Sequence, residues 1–430
     1  MNNGIHIVHL YADSANEWNC SQWRCLIPAD AVNEAYEAGK TPNTVKLWHM
    51  PTAMDWHHPK VQKELGMADV IVFQRNVIAK EIWDVMDYWR ALGKAVIVDS
   101  DDHYPALPPS NPAFQYWIRN LPGLDPAPVD AFAEGLKHAD AFTSPSKIIL
   151  RDWEHIIPGY WVPNWTRGKW YEGLAQKPHG APDIEFGYVK KPDMEEVELK
   201  GTFRPDSEGQ IIIGWGGSIS HVDSWIYSGA IEALDRIFEK HPKARLKFCG
   251  FEQRLDYLLN RWGDRVVRQP GVRPEHWPQV VSTFDIGVAP LDMRQLEPWR
   301  EGAPVASYDE RRSWLKAVEY LCAGVPWMAS KSLTYADLAR HGKVVDNTAD
   351  AWFAALDGMI TRLPQVKAEA WAKRRWAMKH VTFEANVNAY GDIMTRILNE
   401  KHMRAGATLP GIVYVAQKQT PIAAVAGAAA

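Results

Sequence analysis

Three side chains in the second half of the chain have the spacing and chemistry of an anion-binding site. Arg312, Lys316 and Glu319 are four and three residues apart, in a segment predicted to be a helix beginning near Ser313. At about 100° per residue they share one narrow helix face, beside an apolar stripe that would pack. Two cations near a helix N-terminus, where backbone N–H groups are unpaired, can bind phosphate. An exposed Lys/Glu pair on a solvated face is the alternative.

A glycine-rich turn lies upstream, in the sequence IIIGWGGSISHVDSW. Gly216 and Gly217 let the backbone approach an anion, and their N–H groups, with that of Ser218, can converge on phosphate oxygens. His221 follows, where it can contact the diphosphate or sugar of a ligand, or cap a helix. The turn lacks both the third glycine of a dinucleotide fingerprint and the GKS or GKT of a P-loop, which excludes those two sites. A tight strand-to-helix turn without a ligand is the alternative.

An acidic cluster ends a predicted strand in the first half, in the sequence VIVDSDDH. Crowded carboxylates repel one another, which raises a pKa, so one of them can act as a base toward a hydroxyl or bind that hydroxyl. We place Asp101 and Asp102, with His221, in the candidate catalytic set and group Asp99 with them. A DxD-like metal site and a turn closed by aspartates are the alternatives.

The elements that position these groups alternate between strand and helix in both halves of the chain. In the first half, we predict strands at 5–10, 44–48, 70–74, 95–99 and 139–143, with helices at 22–38 and 79–92. In the second half, we predict strands at 211–213, 244–249, 265–268, 286–291 and 325–329, again separated by helices. This alternation predicts an α/β protein with two parallel, doubly wound sheets. Ligands of such sheets bind at the carboxyl ends of the strands.

The domain boundaries follow changes in composition. Glycine, proline and charge replace periodicity at 177–210, where we place an interdomain linker. Residues 401–430 are expected to be a flexible tail, because IAAVAGAAA has no charge, cap or large side chain. The expected units are a first domain at 1–190, a second domain at 200–380, a C-terminal helix at 381–400 and the tail.

A proline-rich stretch at 104–128 is predicted to be a loop with at most one short helix. Loops of this length inside a domain are usually functional. In addition, the 21 tryptophans give the chain a large capacity to stack on sugars or bases, although most are expected in the core.

Bulk composition limits the class of protein. The chain has 430 residues, of which 46% are hydrophobic, enough for two domains with real cores. Its four cysteines form no CxxC pair and no zinc spacing, which predicts free thiols in a reducing compartment. The N-terminus lacks a signal-peptide pattern, and no apolar run reaches membrane-spanning length. We therefore expect a soluble, cytoplasmic protein.

Charge is segregated along the chain. Residues 1–200 carry 19 Lys and Arg against 27 Asp and Glu, a balance of −8, whereas residues 201–430 carry 29 against 25, a balance of +4. The second half suits an anionic nucleotide, and the first half is a poor surface for duplex DNA.

Several motifs, taken in order, resemble a known family. IGWGGSxSHxDSW, DIGVAPL and SWLKAVEYLCAGVPWMAS resemble the nucleotide-sugar half of GT-B-fold glycosyltransferases, specifically the large retaining group called glycosyl transferases group 1. VIVDSDDHYPALPPSNPAF, ADAFTSPS and VPNW are similar to segments of bacterial and phage members, and the resemblance spans residues 5–399. It implies two Rossmann-like domains facing a central cleft, with C-terminal helices packing back on the first domain.

The resemblance also implies a reaction. A sugar would move from a nucleoside-diphosphate sugar to an acceptor hydroxyl, with retention and without a metal, and no cofactor would be permanently bound. The compartment would be the cytoplasm, that of the host if the gene is a phage's. The acceptor stays open between a protein, a glycan and a modified nucleobase.

The resemblance assigns roles to residues of this sequence. The glycine turn, Arg312, Ser313 and Lys316 would hold the donor diphosphate, and Glu319 would accept hydrogen bonds from the ribose. Ser21, Trp23 and Arg24 lie where acceptor or donor would meet the first domain, and Asn164 of VPNW would help to order the hinge.

One position departs from the common family pattern. Eight residues before the ribose glutamate the family usually has a second glutamate, and this chain has Arg311. Asp309 or Glu310 can substitute, or the sugar is held differently. A sugar-nucleotide epimerase or a phosphorylase on the same fold, and a non-catalytic carbohydrate-binding relative, are therefore the alternatives.

Overall fold

The structure is a computed structural model that describes residues 4–13, 20–118, 126–190, 197–217, 219–250, 253–297 and 305–404. Within these residues, the chain forms two six-stranded parallel sheets and one two-stranded antiparallel sheet. The predicted fold class is confirmed.

The first sheet has the strand order β2-β1-β3-β4-β5-β6. Its central strands β3 and β4 have every residue buried, because helices cover both faces of the sheet. The strands are β1 (His6–Tyr11), β2 (Thr44–His49), β3 (Val70–Gln74), β4 (Ala95–Asp99), β5 (Ala141–Ser144) and β6 (Gly159–Trp161).

The second sheet has the order β11-β10-β9-β12-β13-β14, that of a Rossmann fold. From β9 to β11 successive strands are added toward one edge of the sheet, and from β12 to β14 they are added toward the other edge. A ligand site is expected at the carboxyl ends of β9 and β12, where this switch occurs. The strands are β9 (Ile211–Gly216), β10 (Ala244–Cys249), β11 (Val266–Gln269), β12 (Ile286–Ala289), β13 (Trp327–Ser330) and β14 (Lys343–Val345), and the small sheet consists of β7 (Ile184–Lys190) and β8 (Val197–Phe203).

The helices connect the parallel strands and cover the two sheets. A π-helical turn, Gln22–Leu26, precedes the first of them. They are α1 (Ile27–Glu37), α2 (Met50–Ala53), α3 (Pro59–Gly66), α4 (Lys80–Ala91), α5 (Phe114–Ile118), α6 (Pro128–Lys137), α7 (Lys147–Trp153), α8 (Val222–Ile226), α9 (Ala230–Lys240), α10 (Gln253–Leu259), α11 (Trp277–Ser282), α12 (Leu315–Ala323), α13 (Ala349–Thr361), α14 (Leu363–His380) and α15 (Phe383–Arg404).

The segment expected to be an interdomain linker contains the β7–β8 hairpin in addition to irregular chain. The hairpin is anchored to the second sheet: Phe186 N–H donates to the Gln269 side chain at 3.1 Å, and buried Lys247 donates to Asp183 at 2.9 Å. Asp183 and Lys247 have fully buried side chains. Sequence periodicity failed here because glycines interrupt both strands.

The two last helices pack on different domains. α14 lies against α12, where Arg374 donates to the carbonyl of Cys322 at 2.8 Å. α15 packs against α1 and β4 of the first domain, where Tyr390 shares a hydrogen bond with His9 at 2.5 Å. Only α15 therefore packs back as expected. It continues to Arg404, past the expected end at residue 400, and the rest of the expected tail lies outside the described residues.

Within the described residues, no helix is long and apolar enough to cross a membrane. All four cysteines are free thiols, as expected from their spacing.

Candidate active site

A cleft of about 810 Å³ lies between the carboxyl ends of the two large sheets. Ten of the predicted site residues line it together: Trp23, Asp101, Asp102, Gly216, Gly217, His221, Arg312, Ser313, Lys316 and Glu319. Ser21 and Arg24 do not line it, and Ser218 lies outside the described residues. We call the cleft surface formed by His221, Arg312, Lys316 and Glu319 the second-domain wall, and that formed by Trp23, Arg75, Asp101, Asp102, Tyr116 and Trp117 the first-domain wall.

Lys316 is the cation of the second-domain wall that has no counter-ion in contact. Its Nζ makes no hydrogen bond or ion pair with any described residue and lies 5.4 Å from the centre of the Trp215 ring. Burial lowers its pKa to about 8, because the charge of Glu319 on the same helix offsets only part of the loss of water. A Cβ added to Gly217 would lie 3.1 Å from this Nζ, so the ammonium is directly beside the glycine turn. An anion bound here would restore the lost interactions.

Arg312 is held by the protein itself. Its Nε donates to Asp309 at 2.7 Å and its Nη2 to the carbonyl of Ser220 at 2.7 Å. Burial acts to lower its pKa, but the interactions with Asp309, Tyr308 and Asp102 together outweigh burial and raise it. The guanidinium therefore stays charged in a fixed orientation. It precedes α12, which begins two residues later than predicted, at Leu315.

Glu319 is a buried carboxylate of α12, one helical turn after Lys316. Burial raises its pKa, and a hydrogen bond from the Trp277 side chain partly offsets that effect. A carboxylate in this position can accept further hydrogen bonds from a ligand's hydroxyl groups.

His221 is held in one tautomer by a chain of hydrogen bonds. Ser224 donates its only hydroxyl proton to Asp309, so the Oγ can only accept from Nδ1 of His221, 3.3 Å away. Burial, with the charges of Arg312 and Lys316, lowers the pKa of His221 well below its ordinary value. The imidazole is therefore neutral, protonated on Nδ1, with its lone pair on Nε2.

The two glycines of the turn leave room for tryptophan rings, and the predicted contact of this turn with a diphosphate stays a prediction. A Cβ on Gly216 would lie 2.2 Å from the Trp277 ring, and one on Gly217 would lie 2.6 Å from the Trp215 ring. The N–H of Gly217 already donates to the carbonyl of Cys249 at 3.1 Å, so it is not available to a phosphate.

On the first-domain wall, Asp101 and Asp102 lie beside Cys20. Burial, and then the charge of Asp102, raise the pKa of Asp101 to about 6. Asp102 accepts a hydrogen bond at 2.6 Å from Tyr308, a second-domain residue in the segment between β12 and α12. The Cys20 Sγ and one carboxylate oxygen from each of Asp101 and Asp102, the atoms that could coordinate a metal, lie within 4.8 Å of one another. Burial, with the Asp101 charge, raises the pKa of Cys20 well above its usual range, so Cys20 is a neutral thiol. A neutral thiol is a poor ligand for Mg²⁺, which prefers oxygen ligands.

Arg75 and Asp13 were missed by the sequence analysis. Arg75 directly follows β3, Asp13 follows β1, and the two side chains form an ion pair. Arg75 is the one described residue other than glycine with positive φ, 42°, a strained conformation that is typical of functional sites. Their positions after two neighbouring parallel strands were the available signal, because such strands end at the same edge of the sheet.

The proline-rich loop supplies aromatic rings to the first-domain wall. Tyr104 and Trp117 stack with their ring centroids 3.4 Å apart at an angle of 4°, and this stacking fixes the orientation of the Trp117 ring. Tyr116 is 43% exposed and meets Trp117 edge-on. The expectation that this loop is functional is consistent with its place in the cleft, but its chemistry was not evident from the prolines.

Arg24 and Ser21 stabilise the first domain below the cleft. Arg24 pairs with Asp99 through two bonds of 2.9 and 2.6 Å, and both side chains are at most 5% exposed. Ser21 donates to Gln74 at 2.6 Å. Ser21, Arg24 and Asp99 therefore have polar atoms engaged within the protein, and none of the three lines the cleft.

Arg311 joins the two domains, which explains why this chain has no glutamate there. Its guanidinium binds Asp152 of α7 through two bonds of 2.6 and 2.9 Å. Asp309 does not take over the missing glutamate's place, since it is bonded to Arg312 and Ser224. Asn164 adds a second bridge, donating to Ser313 at 3.0 Å.

Comparisons with known proteins establish the fold. No protein family matches the sequence, and neither does any curated protein. Similar solved structures include HepE of Anabaena in complex with UDP-glucose (11% identity, TM-score 0.53, covering 92% of this chain and 100% of that one). They also include sucrose-phosphate synthase of Thermosynechococcus elongatus (13%, 0.55, 92% and 100%) and a UDP-forming α,α-trehalose-phosphate synthase of Burkholderia xenovorans (10%, 0.53, 92% and 99%). The chain has the GT-B fold of these proteins.

Proposed function

We propose that this protein is a glycosyltransferase that moves a sugar from a nucleoside-diphosphate sugar, such as UDP-glucose, to an acceptor hydroxyl. The observation that carries the proposal is the partly buried Lys316 ammonium, which has no bonded counter-ion among the described residues and lies beside Arg312 at the cleft. A diphosphate supplies the missing negative charge. The similar structures bound to UDP-glucose or named as UDP-forming support this donor class.

The two cations stabilise the leaving group. As the bond between the anomeric carbon and the diphosphate oxygen breaks, its electron pair and a full negative charge move to the diphosphate. Lys316 and the pre-oriented Arg312 lie where this charge develops, in a buried site where electrostatic stabilisation is strong. Glu319 accepts hydrogen bonds from the ribose hydroxyls, and the Nε2 lone pair of His221 accepts one from a sugar hydroxyl rather than facing a phosphate oxygen.

The proposal includes retention at the anomeric carbon, which rests on the resemblance of the motifs. The acceptor hydroxyl then attacks from the leaving-group side, its proton passes to the departing diphosphate, and Asp101 orients the acceptor by accepting a hydrogen bond. Product NMR tests this step: an inverted anomeric configuration would instead require Asp101 to act as the base.

The proposal also includes catalysis without a metal or a permanently bound cofactor, in the cytoplasm, that of the host if the gene is a phage's. The neutral thiol of Cys20 and the engagement of Asp102 by Tyr308 support metal independence, because they leave few free oxygen ligands. The four free thiols suit a reducing compartment. Donor hydrolysis measured with EDTA and with added Mg²⁺ tests the first part: a strict Mg²⁺ requirement would contradict it.

Donor binding tests the central claim. We expect calorimetry to detect binding of UDP or UDP-glucose, and Lys316→Ala to weaken it by at least about 1.5 kcal/mol, the cost of a lost charged hydrogen bond. Lys331→Ala is the matched control, because it removes an ammonium from a side chain that is 71% exposed in the same domain. Equal affinity in the wild type and Lys316→Ala would contradict the site, and no binding to any sugar nucleotide would contradict the function. An epimerised donor without acceptor would indicate an epimerase.

A further inference from the structure

The first-domain wall has an excess of negative charge where an acceptor must bind. Asp101 and Asp102 both line the cleft, and among the described first-domain residues that line it, Arg75 is the one basic side chain. The Arg75 charge is already balanced by its ion pair with Asp13. A phosphate or carboxylate on the acceptor would therefore face carboxylates without a free cation to bind it.

The same wall carries aromatic rings in fixed positions. Trp117 is stacked on Tyr104, and Tyr116 presents an exposed ring to the cleft. Trp23 lines the cleft from the π-helical turn. Aromatic faces cover the C–H faces of a sugar ring, while carboxylates accept hydrogen bonds from its hydroxyls. Together they match a polyhydroxylated, uncharged ring.

A nucleic-acid acceptor fits this wall poorly. Binding to nucleic acid depends on basic side chains that neutralise backbone phosphates. The first domain has the opposite balance, with eight more acidic than basic residues in positions 1–200.

We propose that the acceptor is an uncharged carbohydrate, with its hydroxyls bound by Asp101 and Asp102 and a ring face against Tyr116. This inference rests on the proposed glycosyl transfer and specifies its acceptor. The acceptor oxygen bonds to the anomeric carbon as the bond to the diphosphate breaks, and the hydroxyl proton leaves with the diphosphate. Repulsion by the two carboxylates disfavours phosphorylated sugars.

Matched acceptor pairs test the inference. The full-length protein is incubated with labelled UDP-glucose and with glucose, mannose, fructose or N-acetylglucosamine, each compared with its 6-phosphate. We expect kcat/KM to be at least about tenfold higher for the neutral member, since like charges brought together cost several kcal/mol. Equal or preferential use of the phosphates, or glycosylation of DNA but none of the neutral sugars, would overturn the inference.

Two variants separate charge from stacking. Asp102→Asn should reduce the ratio of kcat/KM for the neutral sugar to kcat/KM for its 6-phosphate. Tyr116→Ala should raise the acceptor KM without changing UDP affinity. Tyr257→Ala is the control, since this tyrosine is 70% exposed on α10 of the second domain. UDP affinity and acceptor-free donor hydrolysis are measured on every variant. If the wild type neither binds UDP nor hydrolyses the donor, the proposed function fails. If it does both but does not prefer neutral acceptors to their phosphates, only the acceptor inference fails.

Discussion

The two walls of the cleft bury ionisable groups of opposite charge, and burial shifts their pKa values in opposite directions. On the second-domain wall, burial lowers the pKa of Lys316, whereas on the first-domain wall it raises the pKa of Asp101. In both cases the charged form has lost water. The cationic wall is suited to a diphosphate and the acidic wall to hydroxyl groups, which supports the proposed placement of donor and acceptor on opposite sides.

The walls also differ in how their charges are supported. Arg312 is fixed within its own domain by Asp309, whereas Asp102 is bonded to Tyr308 of the opposite domain. The acidic wall is therefore completed only when the two domains are together. This contrast makes the cross-domain contacts a means of testing the arrangement.

The largest expected effect comes from removing the support of the first-domain wall. Arg24→Met would leave the Asp99 carboxylate buried without its cation, and we expect a loss of about 3–5 kcal/mol in the free energy of unfolding. Urea denaturation measures it. Arg24→Lys keeps a charge and should lose less. An unchanged denaturation midpoint in Arg24→Met would contradict the role assigned to this ion pair.

A smaller effect is expected from separating the walls. Arg311→Ala breaks the paired bonds to Asp152, and we expect the cleft to open and the free energy of unfolding to fall by about 1–3 kcal/mol. Small-angle scattering measures the opening. In a double-mutant cycle with Asp152→Asn, additive effects would show that the two side chains do not interact in solution.

The pH dependence should distinguish the walls. Because the pKa of Asp101 is raised to about 6, its carboxylate is ionised above that pH and protonated below it. We expect kcat/KM for the acceptor to fall as the pH drops through about 6, and Asp101→Asn to remove this inflection. The same inflection persisting in Asp101→Asn would assign it to another group.

The smallest effect concerns the His221 tautomer on the second-domain wall. Ser224→Ala removes the acceptor for Nδ1–H, and we expect donor binding to weaken by about 0.5–1.5 kcal/mol. Nitrogen-15 shifts of the imidazole report the tautomer directly. Finding the proton on Nε2 in the wild type would contradict the hydrogen-bond chain through Ser224.

The sequence analysis recovered the second-domain wall better than the first. Lys316 and Glu319 share one face of α12 through helical periodicity, and Arg312 lies in the extended chain just before that helix, so all three are close in sequence. Gly217 shows the limit of such local reasoning: its residue type correctly indicated a close approach, but the approaching group is the Trp215 ring. Arg75 and Tyr116 were missed because they reach the cleft only through the strand order of the sheet and the path of a loop.

The sequence by itself determined the alternation of strands and helices, the acidic and basic halves, and the motifs of the second domain, because these depend on neighbouring residues. Only the tertiary structure decided which polar groups are engaged and which face the cleft. Arg24 and Lys316 are both cations near a helix start, yet one is bonded to Asp99 and the other has no bonded counter-ion among the described residues. That distinction depends on partners far away in the chain, which no local pattern encodes.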